Sequence, residues 1–581
     1  MDVRSFLTDF NTLSIGDIKM DHAGVISSFF DETGLVSFVD DLLPKNHEHN
    51  ATYGESFKFI ALSIFREYQG TLYNAAKNLS LFPLFLLFHR DVDLNDFNDD
   101  VLADFFEAVQ NFGVSAFYLR IVQHLATRLP RFLDFDVLHV EMINFALFGR
   151  IERFSDDGLP ETIVSIALGR PKDDRSVISL LTYALVCNSM GIPVYMKELS
   201  GDRLDQEELN SRARLFHDFV KDAEISEAEP LCLTDPAFYR EEYIRDFPAY
   251  FIARVPEKIA EARELIAKDV ETRVMEQDDG YSFFAAESSY GGVEQTWLLV
   301  HSRELAEKQE RAFEKRLEKE TSLAFEALKI LENRSFASCE DAQKGAEIWI
   351  SKRKFCRFEK VEIISKEPGS GEKLGRPEAG RKREKSFFVK GTLALNNDAA
   401  RKERLSLGRF ILATNKRTLL AEEILSHYNA QFMGAKCYGY LKGKEPRVSE
   451  TFVEKPERIH GLGCFMALMT LIFSLLETKL RDGLKEKGKT VTGRLGKPTS
   501  IPTLRYACER LERIGYYIFY NKSLDEFYLR LNFIYSPDLS TILEQFGEKT
   551  QSLYYKKERL LTEATVEQII KNIKLFYLYI I

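Results

Sequence analysis

Two carboxylates, Glu141 and Asp235, stand where strands could bring them together. Glu141 lies inside the apolar run Val137–Ile143, and Asp235 follows directly after the run 231–234. Burying an unpaired carboxylate is costly, so a charge in such a run needs a compensating partner. Mg²⁺ prefers oxygen ligands, and two ions about 4 Å apart can activate the attacking oxygen and stabilise the leaving one in phosphodiester chemistry. The pair indicates either a divalent-metal site or two ion-paired or capping carboxylates with a structural role.

Strands of an α/β core would position these carboxylates. Apolar and alternating runs predict strands over 136–148, 161–168, 191–199, 230–234 and 250–255, with a polar helix over 204–220 before the fourth. This order is typical of an RNase H-like core, in which the first and fourth strands are adjacent. Asp235 would then lie at the carboxyl end of a strand, where open α/β sheets place ligands.

The rest of the chain divides around that core. Helical spacing over 20–125 predicts an N-terminal helical domain over 1–130, with Asp31 and Asn95 as turn or cap residues. The core follows in two parts, over 131–256 and 408–480, and a C-terminal region occupies 481–581. Between the two parts, residues 257–407 form a long α+β insertion. Within it we predict a strand pair over 281–287 and 293–301, a charged helix over 303–333 and a strand over 386–395.

Five motifs carry a family resemblance. They are Leu138-His139-Val140-Glu141-Met142-Ile143, Asp235-Pro236-Ala237-Phe238-Tyr239, Phe251–Pro256, Gly408–Asn415, and the spaced set Tyr428, Gln431, Ala435 and Lys442. Over nearly the whole chain the sequence resembles DDE transposases of the insertion-sequence-four superfamily, in the Y-R-E-K signature group and its subgroup with a helical N-terminal domain. The resemblance implies an RNase H-like fold and DNA recombination by transposition, in which insertion-sequence DNA is cleaved and transferred with Mg²⁺ or Mn²⁺.

The departures from the family pattern lie in its active site. The resemblance places the family's three catalytic positions, which are acidic, at Glu141, Asp235 and Ala435. The third position is therefore degenerate, because it holds alanine. Glu141 and Asp235 remain as metal ligands, although Glu141 reaches one methylene farther than the family's Asp. Ala435 offers no oxygen, and a missing ligand should weaken metal binding. Glu423, twelve residues upstream, is about 18 Å away along a helix.

Three interpretations remain open. The first is a transposase-derived DNA-binding protein with impaired catalysis. The second is an active transposase that uses another carboxylate. The third is a non-catalytic scaffold or a relic that no longer binds DNA specifically.

DNA binding would depend on local basic clusters, because the chain carries a net charge of −10. Such clusters occur at 351–357, at 375–383 with Arg376, and at 479–497. They would neutralise phosphates, or they form ordinary solvated charged faces. Tyr428 and Lys442 keep their signature positions, and Lys442 could contact a phosphate; a packing or surface role is the alternative. The residues predicted to bind DNA are therefore Tyr428, Lys442, Arg376, Lys479, Arg481, Lys485 and Lys487. As partners the resemblance implies the terminal inverted repeats of an insertion element and a second copy in a homodimer.

Composition favours a cytoplasmic location. The seven cysteines form no CxxC pair, and the first residues lack a basic segment followed by an apolar core. The most membrane-like run, 461–476, is shorter than the roughly 20 residues of a membrane span. We predict that it is a buried core helix.

Overall fold

The computed structural model describes residues 15–44, 49–66, 75–147, 167–169, 178–199, 230–234, 236, 238–247, 249–276, 280–366, 385–437, 456–521, 523–531 and 535–578. They belong to two compact units. Unit 1 draws on 1–234, 247–250 and 426–581, and unit 2 draws on 235–246 and 251–425.

The described helices are distributed over the whole chain. They are α1 (Ala23–Thr33), α2 (Leu35–Leu42), α3 (Tyr53–Arg66), α4 (Ala75–Leu79), α5 (Leu84–Phe88), a 3-10 helix (Leu94–Phe97), α6 (Asp99–Phe112), α7 (Val114–Arg128), α8 (Glu241–Ile244), α9 (Ala260–Ala267), α10 (Arg303–Glu332), α11 (Cys339–Ser351), α12 (Asn397–Ser406), α13 (Ala421–Cys437), α14 (Pro456–Glu486), α15 (Leu504–Leu511), α16 (Pro537–Leu543), α17 (Glu548–Tyr555) and α18 (Glu563–Leu578).

The described strands are concentrated after residue 136. They are β1 (Ile15–Lys19), β2 (Val137–Leu147), β3 (Ala167–Gly169), β4 (Ile178–Asn188), β5 (Pro193–Leu199), β6 (Leu231–Thr234), β7 (Tyr250–Arg254), β8 (Arg273–Val274), β9 (Tyr281–Tyr290), β10 (Val293–Ser302), β11 (Cys356–Lys366), β12 (Ser386–Leu395), β13 (Arg409–Thr414), β14 (Val491–Thr492), β15 (Pro498–Thr499), β16 (Gly515–Asn521), β17 (Glu526–Leu531) and β18 (Glu558–Leu561).

The N-terminal region of unit 1 is helical, as predicted, and its helices have clear local signals. Helix α6 begins where the side chain of Asn98 accepts a hydrogen bond from the Val101 amide at 3.1 Å. Asp99 and Asp100 lie in its first turn, where their negative charges interact favourably with the positive end of the helix dipole. The helix ends at Gly113, whose φ of 100° suits glycine.

Neither of the two residues predicted as turn or cap residues is a helix cap in the structure. Asp31 lies inside α1 rather than at its end. Asn95 lies within the 3-10 helix, and Asp93 caps that helix by accepting from the Asn95 amide at 3.1 Å. The prediction was wrong at Asp31, because Asp favours caps only on average and Asp31 has a buried partner that sequence does not reveal, whereas Asn95 lies in a 3-10 turn, as the turn alternative predicted.

Helix α14 is the core helix of unit 1. Within the described residues, Arg458–Glu486 is long and apolar enough to cross a membrane, and its most apolar window is wholly buried inside the protein. Phe465 on this helix packs edge-on against Phe57, with ring centroids 5.7 Å apart, and against Phe106 at 5.9 Å. The predicted buried core helix is confirmed.

In the mixed sheet of unit 1, strand β2 lies between β4 and β6. Strand β4 pairs antiparallel with β2 from Leu138↔Asn188 to Leu147↔Ser179 without a shift, and its other edge pairs with β3 and β5. Strand β6 is the parallel neighbour of β2. The sequence analysis missed β4, because Ile178–Asn188 is a nearly continuous apolar run without alternation. Of the predicted strand 161–168, only residues from Ala167 onward are described, and the predicted helix 204–220 lies outside the described residues.

Unit 1 also contains a four-stranded antiparallel sheet in the order β1-β16-β17-β18 and the small pair β14-β15. Strand β1 joins the region near the N-terminus to the C-terminal region, with Ile18 opposite Tyr516. Both side chains are buried.

Unit 2 contains antiparallel strands in the order β7-β13-β10-β9-β8. The predicted strand pair is confirmed as β9 and β10, and the predicted charged helix is confirmed as α10, where the Ser302 hydroxyl caps the Leu305 amide. The predicted strand over 386–395 is β12. Its partner β11 was not predicted, because its first residues belong to the basic cluster 351–357 and its apolar alternation shifts at the irregularity between Phe358 and Lys360. The protein is therefore a mixed α/β protein with an N-terminal helical region.

Candidate functional site

The strand of Glu141 lies beside the strand that precedes Asp235. The parallel pairs are Val137↔Leu231, Leu138↔Cys232 and His139↔Leu233, so the first and fourth predicted strands are adjacent. Glu141 lies two residues beyond the last of these pairs, opposite Leu185 of β4. Asp235 follows the last residue of β6. Asp235 itself and the side chain of Glu141 lie outside what the structure describes.

His139 is an unpredicted feature of this strand. Side chains alternate along a strand, so position 139 lies on the same sheet face as position 141. The residue is 1% exposed, and among the described residues neither ring nitrogen has a hydrogen-bond partner. Burial lowers the pKa of His139 to about 4, so the imidazole is neutral at pH 7. A neutral imidazole can donate one hydrogen bond and ligate a metal through the other nitrogen. The only sequence signal was a histidine inside an apolar strand.

The turn after Asp235 is anchored by a buried polar network within unit 2. The Tyr239 hydroxyl donates to Gln295 Oε1 at 2.5 Å and accepts from Trp297 Nε1 at 2.9 Å. Its ring stacks on Tyr290, with centroids 4.9 Å apart. Burial raises the pKa of the Tyr239 hydroxyl, which therefore stays protonated. The motif 235–239 contains Tyr239, but sequence alone did not identify its partners on β10.

The motifs 251–256 and 408–415 form neighbouring strands. Strands β7 and β13 pair antiparallel, with Ala253 opposite Ala413, and the Phe251 amide donates to Asn415 Oδ1 at 2.8 Å. Gly408 has φ +72°, and a Cβ there would lie 2.7 Å from the Ser302 carbonyl oxygen. The close approach of this turn to the start of α10 therefore requires glycine.

Ala435, the position predicted for the third catalytic residue, lies near the end of a helix. Residues Ala421–Cys437 form α13, and Ala435 is in its last turn. Glu423 lies in the first turn, where its carboxylate accepts from the Leu420 amide at 2.8 Å. This acidic residue therefore caps its own helix. Tyr428 is half-buried on the same helix.

Two of the four predicted DNA-binding cations on and directly after α14 form ion pairs within unit 1. Lys479 pairs with Glu32 at 2.8 Å, and Arg481 pairs with Glu477 at 2.5 Å. Lys485 and Lys487 are exposed. The alternative of a charged face fits Lys479 and Arg481 better, because their charges already have partners. Arg376 and Lys442 lie outside the described residues.

The described residues contain no group of three or more His, Cys, Asp or Glu side chains that could hold a metal ion. The position that the resemblance assigns to the third ligand, Ala435, has no side-chain oxygen. The sequence therefore supplies two of the three carboxylates that such a site would use.

Comparison with protein families gives one match. Residues 15–123 match a domain of unknown function, DUF4277. The match covers β1 and most of the N-terminal helical region of unit 1, and it ends before β2. No curated protein matches the chain.

Proposed function

We propose that this protein is a DNA-binding member of the DDE transposase family, in the insertion-sequence-four superfamily, that has lost strand cleavage and transfer. The main observation in support of this proposal is the parallel pairing of β2 with β6. Strand β2 contains Glu141, and β6 ends one residue before Asp235. One candidate acidic residue thus belongs to β2, and the other comes directly after the adjacent strand β6 in the sequence. The third position is Ala435 on α13.

The strand arrangement supports an RNase H-like core. A central β2 with an antiparallel neighbour, β4, and a parallel neighbour, β6, agrees with the order expected for that fold. The pairing of β7 with β13 brings two further family motifs together.

The missing carboxylate supports loss of catalysis. Divalent ions would supply activation of the attacking oxygen and stabilisation of the leaving oxygen when bound. Glu141 and Asp235 are the residues that could hold them, and Glu423 is already used as a helix cap. Two carboxylates without a third should bind such ions weakly. A protein of this kind would act on terminal inverted repeats in the cytoplasm as a binder, as a homodimer.

A second candidate function, an active transposase with a different third ligand, is favoured by His139. Its imidazole has no hydrogen-bond partner among the described residues and lies on the sheet face of position 141. Imidazole suits transition metals better than Mg²⁺. Activity with Mn²⁺ but not Mg²⁺, lost in His139→Phe, would support this alternative.

The test is a cleavage assay on duplexes that carry the terminal inverted repeats flanking the gene. The unmodified protein should bind the duplex and produce no cut with Mg²⁺ or Mn²⁺. Ala435→Glu should increase metal binding, and Ala435→Gln is the matched control that adds a similar side chain without the charge. Cutting by the unmodified protein would overturn the loss of catalysis. Absence of duplex binding at any salt concentration would favour the scaffold interpretation.

A further inference from the structure

The β11–β12 ribbon of unit 2 has one anchored face and one open face. The two strands form a sheet of their own, paired from Cys356↔Leu395 to Lys366↔Ser386. At about 3.3 Å per residue the ribbon is roughly 30 Å long. Its inner side chains pack with apolar residues of α10 and α11; they are Cys356, Phe358, Ile363, Phe387, Val389 and Leu393. The ribbon is therefore held in place from one side.

The outer face is basic. The strand register places Arg357, Lys360, Lys366 and Lys390 on this face, all exposed, with Glu362 as its one carboxylate apart from the irregular position 359. Four positive charges and one negative charge contrast with the net charge of −10 for the whole chain. The ribbon thus presents a local positive field on an acidic protein.

Two of these cations are available for a ligand. Lys360 pairs with Glu362 at 2.6 Å, and Lys390 pairs with Glu332 at 3.3 Å. By contrast, Arg357 and Lys366 form no ion pair with any residue that the structure describes. Lys366 Nζ lies 5.2 Å from the ring centroid of Phe388, which keeps its charge on the outer face.

The dimensions fit duplex DNA. The major groove is about 12 Å wide and admits a two-stranded β-ribbon. Arg357 and Lys366 lie opposite Ala394 and Ser386, which are eight residues apart on β12, so the two cations are about 26 Å apart along the ribbon, within one helical turn of DNA at roughly 34 Å. Cations at both ends of the face could then reach phosphates within one turn of the duplex.

We infer that the outer face of the β11–β12 ribbon docks on duplex DNA and contributes two phosphate contacts, from Arg357 and Lys366, and up to two more if Lys360 and Lys390 exchange their carboxylate partners for phosphates. This deepens the proposed function, on which it rests, by naming the surface that holds the duplex. Phosphate contacts release counterions, so each lost contact should flatten the dependence of log Kd on log salt by about 0.9.

The experiment measures binding of the full chain to an inverted-repeat duplex over a range of NaCl concentrations. The variant Arg357→Gln/Lys360→Gln/Lys366→Gln/Lys390→Gln should flatten the slope by about 2 to 4 and weaken binding at low salt. Arg357→Gln/Lys366→Gln should flatten the slope by about 2. The matched control removes four exposed cations from α10, as Lys308→Gln/Arg311→Gln/Lys315→Gln/Lys319→Gln, and should keep the original slope.

The outcomes separate the two proposals. A parent protein that binds duplex while the ribbon variants keep its slope would overturn the ribbon assignment alone. Equal flattening in the α10 control would also overturn it, because the effect would then come from net charge. A parent that binds no duplex at any salt concentration would overturn DNA binding itself. Competition by poly-glutamate as effective as duplex of equal charge would assign the face to acidic polypeptides instead.

Discussion

The indole of Trp297 donates to the hydroxyl of Tyr239 over 2.9 Å, although the two residues are 58 positions apart. The same hydroxyl donates to Gln295. Because all three side chains are buried, the network fixes the segment that follows Asp235 onto β10. It is a fully satisfied polar cluster, and such clusters are sensitive to the loss of one member.

Tyr239→Phe should therefore destabilise the protein by about 2 kcal/mol, because Trp297 and Gln295 would each lose a buried partner. Urea unfolding monitored by tryptophan fluorescence measures the change. The control is Tyr290→Phe, which keeps the stacked ring and should change the free energy of unfolding by less than about 0.5 kcal/mol. Equal stability of Tyr239→Phe and the parent would show that the network contributes nothing.

A buried ion pair in unit 1 should respond unequally to loss of its two partners. Lys58 is 2% exposed and donates to Asp31 at 2.8 Å, and His89 contacts the other carboxylate oxygen at 2.9 Å. Burial lowers the pKa of Lys58. Asp31→Asn would leave a buried cation without its counterion and should cost about 3 to 5 kcal/mol.

Lys58→Met should be much milder, within about 1 kcal/mol of the parent, because Met fills the apolar site and Asp31 keeps His89. The double variant should recover most of the stability lost in Asp31→Asn. Thermal and urea unfolding of the three variants measure this order. A larger loss of stability in Lys58→Met than in Asp31→Asn would contradict the expectation that an uncompensated buried charge on Lys58 is the main cost.

Gly461 of α14 should tolerate no side chain. An added Cβ would overlap the carbonyl oxygen of Phe106 on α6, which is backbone and cannot rotate away. Gly461→Ala should therefore force the helices apart and cost at least about 2 kcal/mol, despite the better helix propensity of Ala.

Gly483→Ala, on the same helix, is the matched control. There the nearest atom is the side-chain oxygen of Gln545, 2.6 Å from the added Cβ, and that flexible side chain can move. The variant should be close to neutral or slightly more stable. Similar losses in both variants would contradict the assignment of the loss at Gly461 to contact with the Phe106 backbone.

His124 should make stability depend on pH. Its Nε2 lies 2.8 Å from the Thr33 carbonyl oxygen, so that nitrogen donates. Burial is the largest effect on its pKa, which is lowered from 6.5. The folded protein therefore binds this proton less readily than the unfolded chain, and the stabilisation is present above pH 6.5 and lost as the pH falls toward the folded pKa.

His124→Gln, which can still donate to Thr33, should remove that part of the pH dependence. The measurement is the difference in unfolding free energy between parent and variant from pH 8 to pH 5. The difference should change in favour of the variant as the pH falls. A constant difference over this range would contradict the assigned shift.

Sequence patterns were informative where periodicity is strong. The N-terminal helices, the charged α10 and the hairpin β9–β10 follow from spacing and turn residues alone. Strand β4 was missed because its nearly continuous apolar run does not alternate. Contacts such as Asp31 with Lys58, or Tyr239 with Trp297, join distant positions and arise only from tertiary packing. The same reason explains why sequence named Lys479 as a DNA contact without revealing its partner Glu32.

The last prediction concerns catalysis. If the loss of the third carboxylate at Ala435 has abolished cleavage, then Glu141→Gln and Asp235→Asn should leave the background cleavage and the affinity for duplex unchanged. Both substitutions preserve size and remove one charge, so a change in stability can be measured separately by unfolding. Ala435→Glu combined with Glu141→Asp should restore binding of Mn²⁺ or Mg²⁺, measured by calorimetry. Recovery of cutting is not expected, because the apolar Met142 and Ile143 follow Glu141 directly and near-attack geometry tolerates little displacement. Cutting by the unmodified protein that disappears in Asp235→Asn would show instead that the site is active. In that case His139→Phe would test whether the imidazole beside position 141 supplies the missing ligand.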